Sequence, residues 1–393
     1  MEKMDIMKII FAIALFLILW HNLLYWVFLM LVKKLFPCKT QSGKSIKEMP
    51  FVSLIIAVHN EEKVIEKKIL NALSLDYPKD KIEFIFASDN STDKSNEIIS
   101  KYASSNKNIR PLKVEKRGGK VNAYNEAVKI ANGEILAFSD ANTMWDKNAL
   151  KELVKVLESD DIASVCGHLI YTNTSESEVS YSEDLYWKLE NMMKEGESKL
   201  YSLTALNGGI YAIKKKDYIV IHPLYSHDLC FPLLLGAQKK RTVFVKDAVA
   251  FERSGTTSED EVKRKRRMFG RIYSFLFKNP SLFINPFKYN FFYFISVFSH
   301  RTNRYALPFL HLLLFISSVL LLRKGLIFAI VFYSHVLLIA FAVVGYLIKR
   351  KIKIFFTPYY YFLFLASMFL GFYDFIRGKI KPYWDVAETT RGG

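Results

Sequence analysis

Hydrophobic and polar positions divide the chain into three stretches. An uncharged apolar run covers residues 9–32 and is long enough to cross a bilayer as a helix. It is too long and too aromatic for a signal-peptide core, and no small-residue cleavage site follows it. From Lys33 to about Asn279 the chain reads as soluble, and three more apolar runs follow at 305–322, 325–348 and 354–373. Residues 285–300 are rich in aromatics and interrupted by Lys288, which predicts an interfacial helix lying on the membrane.

Within the soluble stretch, short apolar runs alternate with segments of helical spacing. Residues 51–58, 82–87, 109–114 and 134–139 read as strands. Residues 62–73, with Val64, Ile65, Ile69 and Leu73 on one face, read as a helix, as do 93–102 and 119–132. Strand and helix alternating at this interval predict an α/β domain with a doubly wound, mostly parallel sheet. The chain therefore divides into an anchor at 1–34, a globular domain at 50–280, an interfacial helix with about three transmembrane helices at 281–380, and a tail at 381–393.

Charge adds an orientation. The 393 residues carry a formal net charge of +17. Much of that excess flanks the apolar runs, at Lys33, Lys34 and Lys39 after the first and at Lys349, Arg350, Lys351 and Lys353 before the last. This placement follows the positive-inside rule and argues against a nucleic-acid partner. It puts the globular domain in the cytoplasm of an integral cell-membrane protein whose N-terminus lies outside. Counting spans then puts the tail outside too, although Arg377, Lys379, Lys381 and Arg391 oppose that; a re-entrant C-terminal segment would relieve the conflict. Cys38, Cys166 and Cys230 are too few and too far apart for a disulfide framework or a zinc site.

Open α/β sheets bind ligands beyond the carboxyl ends of their strands, and these ends are polar here. The first predicted strand runs into His59-Asn60-Glu61-Glu62, the second into Ser88-Asp89-Asn90-Ser91-Thr92-Asp93, and the fourth into Asp140-Ala141-Asn142. Asp93 suits a helix cap. Carboxylates gathered at one sheet edge from distant segments point to a metal or a nucleotide. No standard Gly-rich phosphate motif is present; Arg117-Gly118-Gly119-Lys120, opening a predicted helix, is the nearest approach.

The order of these motifs resembles the family 2 glycosyltransferases of GT-A fold. The resemblance continues through 205–213 (ALNGGIYAI), His227-Asp228-Leu229 and the basic stretch 263–271, and it extends over nearly the whole chain. It implies transfer of a sugar from a nucleotide-diphosphate sugar to a hydroxyl, with inversion. On this pattern Asp228 is the catalytic base. His59, Asn60, Glu61, Asp89, Lys120, Asp140, Arg264 and Arg267 bind the donor, with Arg267 on the diphosphate. Asp140 and Asn142 hold Mg2+ or Mn2+, Asn142 replacing the family's second Asp. Trp187, Asn207 and His227 lie where the family handles the acceptor. Met268 stands where processive polysaccharide synthases carry a Trp, which turns the expectation away from polymer extension. The implied acceptor is lipid-linked or a polysaccharide, and membrane lipids surround the spans. The alternative is a processive synthase that also exports its polymer. A silent membrane scaffold is opposed by the joint presence of Asp89, Asp140 and Asp228, and a transporter by the lack of paired charges in the spans.

Overall fold

The computed structural model describes residues 2–35, 48–173, 178–255, 257–348 and 352–383. Cys38, Lys39, Lys349, Arg350, Lys351 and Arg391 lie outside them.

The strands are β1 (Val52–Val58), β2 (Ile82–Asp89), β3 (Ile109–Val114), β4 (Ile135–Asp140), β5 (Met144–Trp145), β6 (Ile162–Tyr171), β7 (Tyr211–Lys214) and β8 (Arg241–Glu252). They form one sheet in the order β3-β2-β1-β4-β7-β6-β8-β5. The first four are mutually parallel, as their alternation with helices predicts. β7 then runs antiparallel to both β4 and β6, so the sheet is mixed beyond its centre. β2 is buried along its whole length and β1 along nearly all of it, because helices cover both faces of the parallel half. That double coverage explains why these strands read as continuous apolar runs.

The helices of this half start and stop close to the predicted bounds, at Ile65–Leu73, Ser95–Ser105 and Lys120–Ile130. Asp93 accepts hydrogen bonds from the backbone of both Ser95 (3.0 Å) and Glu62 (2.9 Å), capping one helix while tying it to the neighbouring loop. Asn60 and Asn90, the residues after β1 and β2 respectively by one or two positions, both adopt positive φ (53° and 56°). Asn tolerates that region better than most residues, and the two bends turn the chain off the sheet edge.

Among the described residues, four helices are long and apolar enough to cross a membrane: Met4–Leu35, Phe291–Leu320, Leu326–Leu347 and Lys353–Ile376. Phe291–Leu320 is continuous through a π-helical turn, so the aromatic stretch expected to be a separate interfacial helix is the start of a longer one. Its first turns are fastened to the globular domain, where the Tyr293 hydroxyl donates to the backbone oxygens of Leu203 (2.9 Å) and Pro232 (2.7 Å).

The last of the four follows the globular domain along its length. Lys353 sits over the Tyr181 ring (5.0 Å), the Tyr360 hydroxyl donates to Glu183, and Asp374 pairs with Arg266 at 2.5 and 2.6 Å. Both ends of this helix therefore lie on the domain's side. Hydropathy makes this helix a candidate span, and its contacts lay it along the domain. The basic residues Arg377, Lys379 and Lys381 follow it at the end that carries the Asp374–Arg266 pair.

Candidate active site

The carboxyl ends of β1, β2 and β4 open onto a cavity of about 720 Å3 that reaches across to the helix Ser258–Lys278 and to Arg301, Arg304 and Tyr305 near the middle of the long helix Phe291–Leu320. His59, Glu61, Asp89, Lys120, Asp140, Asn142, Trp187, His227, Asp228, Arg264 and Arg267 all line it. The sequence places these residues far apart, and the fold brings them to one hollow. Asn60 and Asn207 are not among the lining residues.

Asp89, buried at the end of β2, shapes the loop after β3. Its two carboxylate oxygens accept from the backbone amides of Gly118 (2.8 Å) and Gly119 (2.7 Å). Gly119 has φ +86°, a conformation that suits glycine, and it precedes the helix that carries Lys120. The carbonyl of Asp89 accepts from Nδ1 of His59 at 2.8 Å. Asn60 serves the same corner from outside the cavity, its side-chain oxygen accepting from the Thr92 amide at 2.8 Å.

Lys120 links the two acidic centres. Its Nζ pairs with Asp140 and donates to the carbonyl of Gly208 at 3.2 Å. A Cβ at Gly208 would lie 3.4 Å from that Nζ and 3.9 Å from Oδ2 of Asp228, so this glycine keeps the space between them open. Asp228 stands in the first turn of the helix His227–Ala237, and the Ser226 hydroxyl donates to its Oδ1. Burial pushes its pKa above the usual carboxylate range; Lys120 pulls back and Asp140 adds to the rise. A carboxylate whose proton affinity is raised in this way is suited to take a proton from a hydroxyl.

Asp140 and Asn142 present oxygen at the cavity edge. The Asn142 amide nitrogen donates to Oε1 of Glu252 at 3.1 Å, and the Thr143 hydroxyl donates to Oε2 of Glu252 at 2.9 Å. Glu252, at the end of β8, is thus a second carboxylate beside the Asp140 motif. The donor set is oxygen-rich and free of thiols, which fits a hard divalent cation completed by substrate phosphates. Among the described residues no cluster of three or more His, Cys, Asp or Glu forms a cage by itself. Beneath this edge lies Lys68, fully buried, whose Nζ donates to the Ser139 hydroxyl (2.7 Å) and the Thr143 carbonyl (2.5 Å). Burial lowers its pKa to about 7 against the opposing pull of Asp140 and Glu252.

Several expected contacts are spoken for within the protein. The His227 ring packs against Tyr124 (5.2 Å) and Phe231 (4.8 Å) and is hydrogen-bonded with the Tyr211 hydroxyl at 2.9 Å. Burial holds its pKa well below the usual histidine range, with Lys120 adding to the effect, so this is a neutral core ring that steadies the turn bearing Asp228. Asn207 is buried, donating to the Gly167 carbonyl at 2.6 Å and accepting from Lys194. Arg264 is bound by Glu261 (2.6 Å) and Glu183 (2.9 Å), which also hold the buried Lys265. Arg267 and Trp187 line the cavity, the latter with Lys194 over its ring at 4.8 Å. Glu252, Lys68 and Tyr383 were not singled out from the sequence, and Arg271 entered only as the end of the basic stretch 263–271. Lys68 left one trace, a charged residue on the helix face that also carries Ile65, Ile69 and Ala72.

The family model described as Glycosyl transferase family 2 matches residues 53–220, a stretch that includes Asp89 and Asp140 and stops short of Asp228. The probable glycosyltransferase YdaM of Bacillus subtilis is 29% identical over 177 residues, which make up 44% of this chain and 42% of that protein. A beta-monoglucosyldiacylglycerol synthase of Nostoc sp. is 26% identical over 170 residues, 43% of this chain and 36% of that protein. The chain thus spans less than half the length of these curated relatives. A solved mannosyltransferase from Pyrobaculum calidifontis, in complex with GDP-Man and Mn2+, matches with a TM-score of 0.67 at 19% identity, covering 94% of this chain and 99% of that one. At that identity the likeness is one of fold.

Proposed function

We propose that this chain, whose residues 53–220 match the Glycosyl transferase family 2 model, moves a sugar from a nucleotide-diphosphate sugar to a hydroxyl of a lipid-linked or polysaccharide acceptor at the membrane, with inversion at the anomeric carbon. The observation that carries this reading is the meeting of Asp89, Asp140 and Asp228 in one cavity, with Lys120 paired to Asp140. The placement of that cavity against the middle of an apolar helix, at Arg301, Arg304 and Tyr305, supports an acceptor that arrives from the membrane.

Asp228 takes the proton of the acceptor hydroxyl as its oxygen attacks the anomeric carbon. The bond between that carbon and the diphosphate oxygen breaks, and the nucleoside diphosphate leaves. Lys120 and Arg267 meet the negative charge that develops on the leaving group. Asp140 and Asn142 would hold a divalent cation, Mg2+ or Mn2+, which supplies further neutralisation of the diphosphate. Asp89 acts through the backbone it clamps, fixing the Gly118–Gly119 corner against which the donor rests. Trp187 offers an aromatic face to the acceptor. The domain faces the cytoplasm, in keeping with the Lys33–Lys34 flank of the first span.

The test is a donor screen on the full chain in detergent, reading released nucleoside diphosphate and product length with each divalent cation and with EDTA. One or a few sugars per acceptor, lost in EDTA and in Asp140→Ala, is the expected result. Full turnover in EDTA overturns the cation assignment. A long homopolymer makes the chain a processive synthase, and no turnover with any nucleotide sugar removes the enzymatic reading.

A further inference from the structure

After Ile376 the chain leaves its last long helix, turns at Gly378 (φ +64°) and runs back over the mouth of the cavity as far as Tyr383. Each residue of this strap meets the domain. A Cβ on Gly270 would lie 2.4 Å from Cδ1 of Ile380. Arg271 donates from Nε (3.3 Å) and Nη2 (3.1 Å) to the carbonyl of Lys381. The carbonyl oxygen of Pro382 occupies the place of a side chain at Gly119, 2.0 Å from where a Cβ would stand. The Tyr383 ring receives the Arg117 guanidinium at 4.7 Å.

These contacts converge on one end of the cavity. Arg117, Gly119, Arg271 and Tyr383 all line it, beside Asp89, whose carboxylate clamps Gly118 and Gly119. The strap is also anchored, since the Asp374–Arg266 pair joins the preceding helix to the one that carries Arg267 and Arg271. The strap is therefore fixed at its root and seated on the Gly118–Gly119 corner that Asp89 clamps.

The chemistry of that corner is selective. Tyr383 and Arg117 together present a flat aromatic and guanidinium surface, which suits a planar base better than a phosphate. Lys120 and Arg267, the charged groups suited to a diphosphate, also line the cavity.

We infer that the C-terminal strap 380–383 is the outer wall of the donor pocket and that Tyr383, with Arg117, recognises the nucleobase end of the donor. This rests on the donor reading above. It gives a segment beyond the apolar helices a direct part in substrate binding. It also assigns Gly119 a second task, since any side chain there would push the strap away.

The experiment measures binding of UDP, GDP, ADP, CDP and dTDP, each with Mn2+, and of inorganic pyrophosphate with Mn2+, to the full chain in detergent. Wild-type protein, Tyr383→Ala, Tyr383→Phe and Gly119→Ala are compared. Tyr383→Ala is expected to weaken the preferred nucleoside diphosphate about tenfold or more, the scale of a lost base–aromatic stack, with pyrophosphate unchanged. Tyr383→Phe keeps the ring and should keep the affinity, while Gly119→Ala should reproduce the nucleoside-specific loss. Unchanged nucleoside diphosphate binding in Tyr383→Ala overturns the inference, and so does an equal loss of pyrophosphate. Wild-type protein that binds pyrophosphate but none of the five nucleotides overturns the donor reading itself, and the inference with it.

Discussion

Arg304 Nη2 lies 2.5 Å from Oε1 of Glu190, and both side chains are almost wholly buried where the helix Phe291–Leu320 meets the helix Glu178–Leu200. His300 extends the contact to Oε2 of Glu190 (3.3 Å) and to Glu197 (2.6 Å), and the Tyr25 hydroxyl of the first apolar helix donates to Glu197 at 3.2 Å. Burial by itself would raise the Glu190 pKa, but Arg304, His300 and Arg301 outweigh it and hold the carboxyl well below its usual range. The globular domain and two apolar helices are thus joined by charge in a buried interface.

Breaking one side of this join leaves a buried charge without its partner. Glu190→Gln should lower stability by about 3–5 kcal/mol, the usual scale for such a loss, read as a drop in unfolding temperature in detergent. Removing both charges, in Glu190→Gln with Arg304→Met, should restore more than half of it. A single variant that unfolds at the wild-type temperature would show that the domain is held by apolar packing alone.

Asp89 supports a separate expectation. Its carboxylate spends both oxygens on the amides of Gly118 and Gly119, which are charge-assisted bonds. Asp89→Asn retains one acceptor and brings an NH2 against a backbone N–H. Donor KM should rise about 10- to 100-fold, as for the loss of about 1.5–3 kcal/mol, while acceptor KM stays put. An equal rise in both would assign Asp89 to the whole cavity floor.

Much of this architecture is readable before any coordinates. The strands and helices between Val52 and Asp140 are local and obey clean periodicities, and ligands gather at the ends of parallel strands, so Asp89 and Asp140 stood out. What escaped was long-range. Glu252 reaches Asn142 only because β8 crosses the sheet beside β6, and no local pattern reports strand order. Arg264, expected at the donor, is also paired with Glu183, 81 positions away, a contact that no local pattern reports. Hydropathy makes the helix Lys353–Ile376 a candidate span, but it carries no sign of the Glu183 and Arg266 contacts along that helix.

That helix yields a topological prediction. With Cys38, Cys166 and Cys230 replaced by serine, Ser105→Cys reports the globular domain and Lys379→Cys the chain beyond the helix; both positions are exposed. Counting every long apolar helix as a span puts them on opposite sides. The contacts put them together, and the basic flanks put that side in the cytoplasm. Neither cysteine should react with an impermeant thiol reagent in intact cells, and both should react in broken ones. Labelling of Lys379→Cys alone would make the last helix a true crossing, and labelling of both would reverse the orientation.

Asp228 allows stability and activity to be set against each other. Its pKa is raised chiefly by burial, so the folded protein holds this proton more tightly than the unfolded chain, where an aspartate titrates near 3.9. The sign follows from linkage: the contribution of Asp228 to stability is fully present below the unfolded value and is lost as pH rises through the higher folded one. At neutral pH the ionised carboxylate is therefore a cost to the fold, one retained because a base must be ionised to accept a proton. Asp228→Asn removes the charge at nearly constant shape. It should raise the unfolding temperature at pH 7–8 and leave it nearly unchanged at acidic pH, where the wild-type group is protonated. It should also cut turnover roughly 10²- to 10⁴-fold, the usual contribution of a positioned base, with little change in nucleotide binding. Wild-type kcat should climb with pH through the raised pKa and then level off, while residual turnover in the variant stays flat across that limb. A variant that is inactive and also less stable would mean that Asp228 holds the start of its helix through Ser226 and that the base lies elsewhere. A variant with near-normal turnover would remove the base assignment outright.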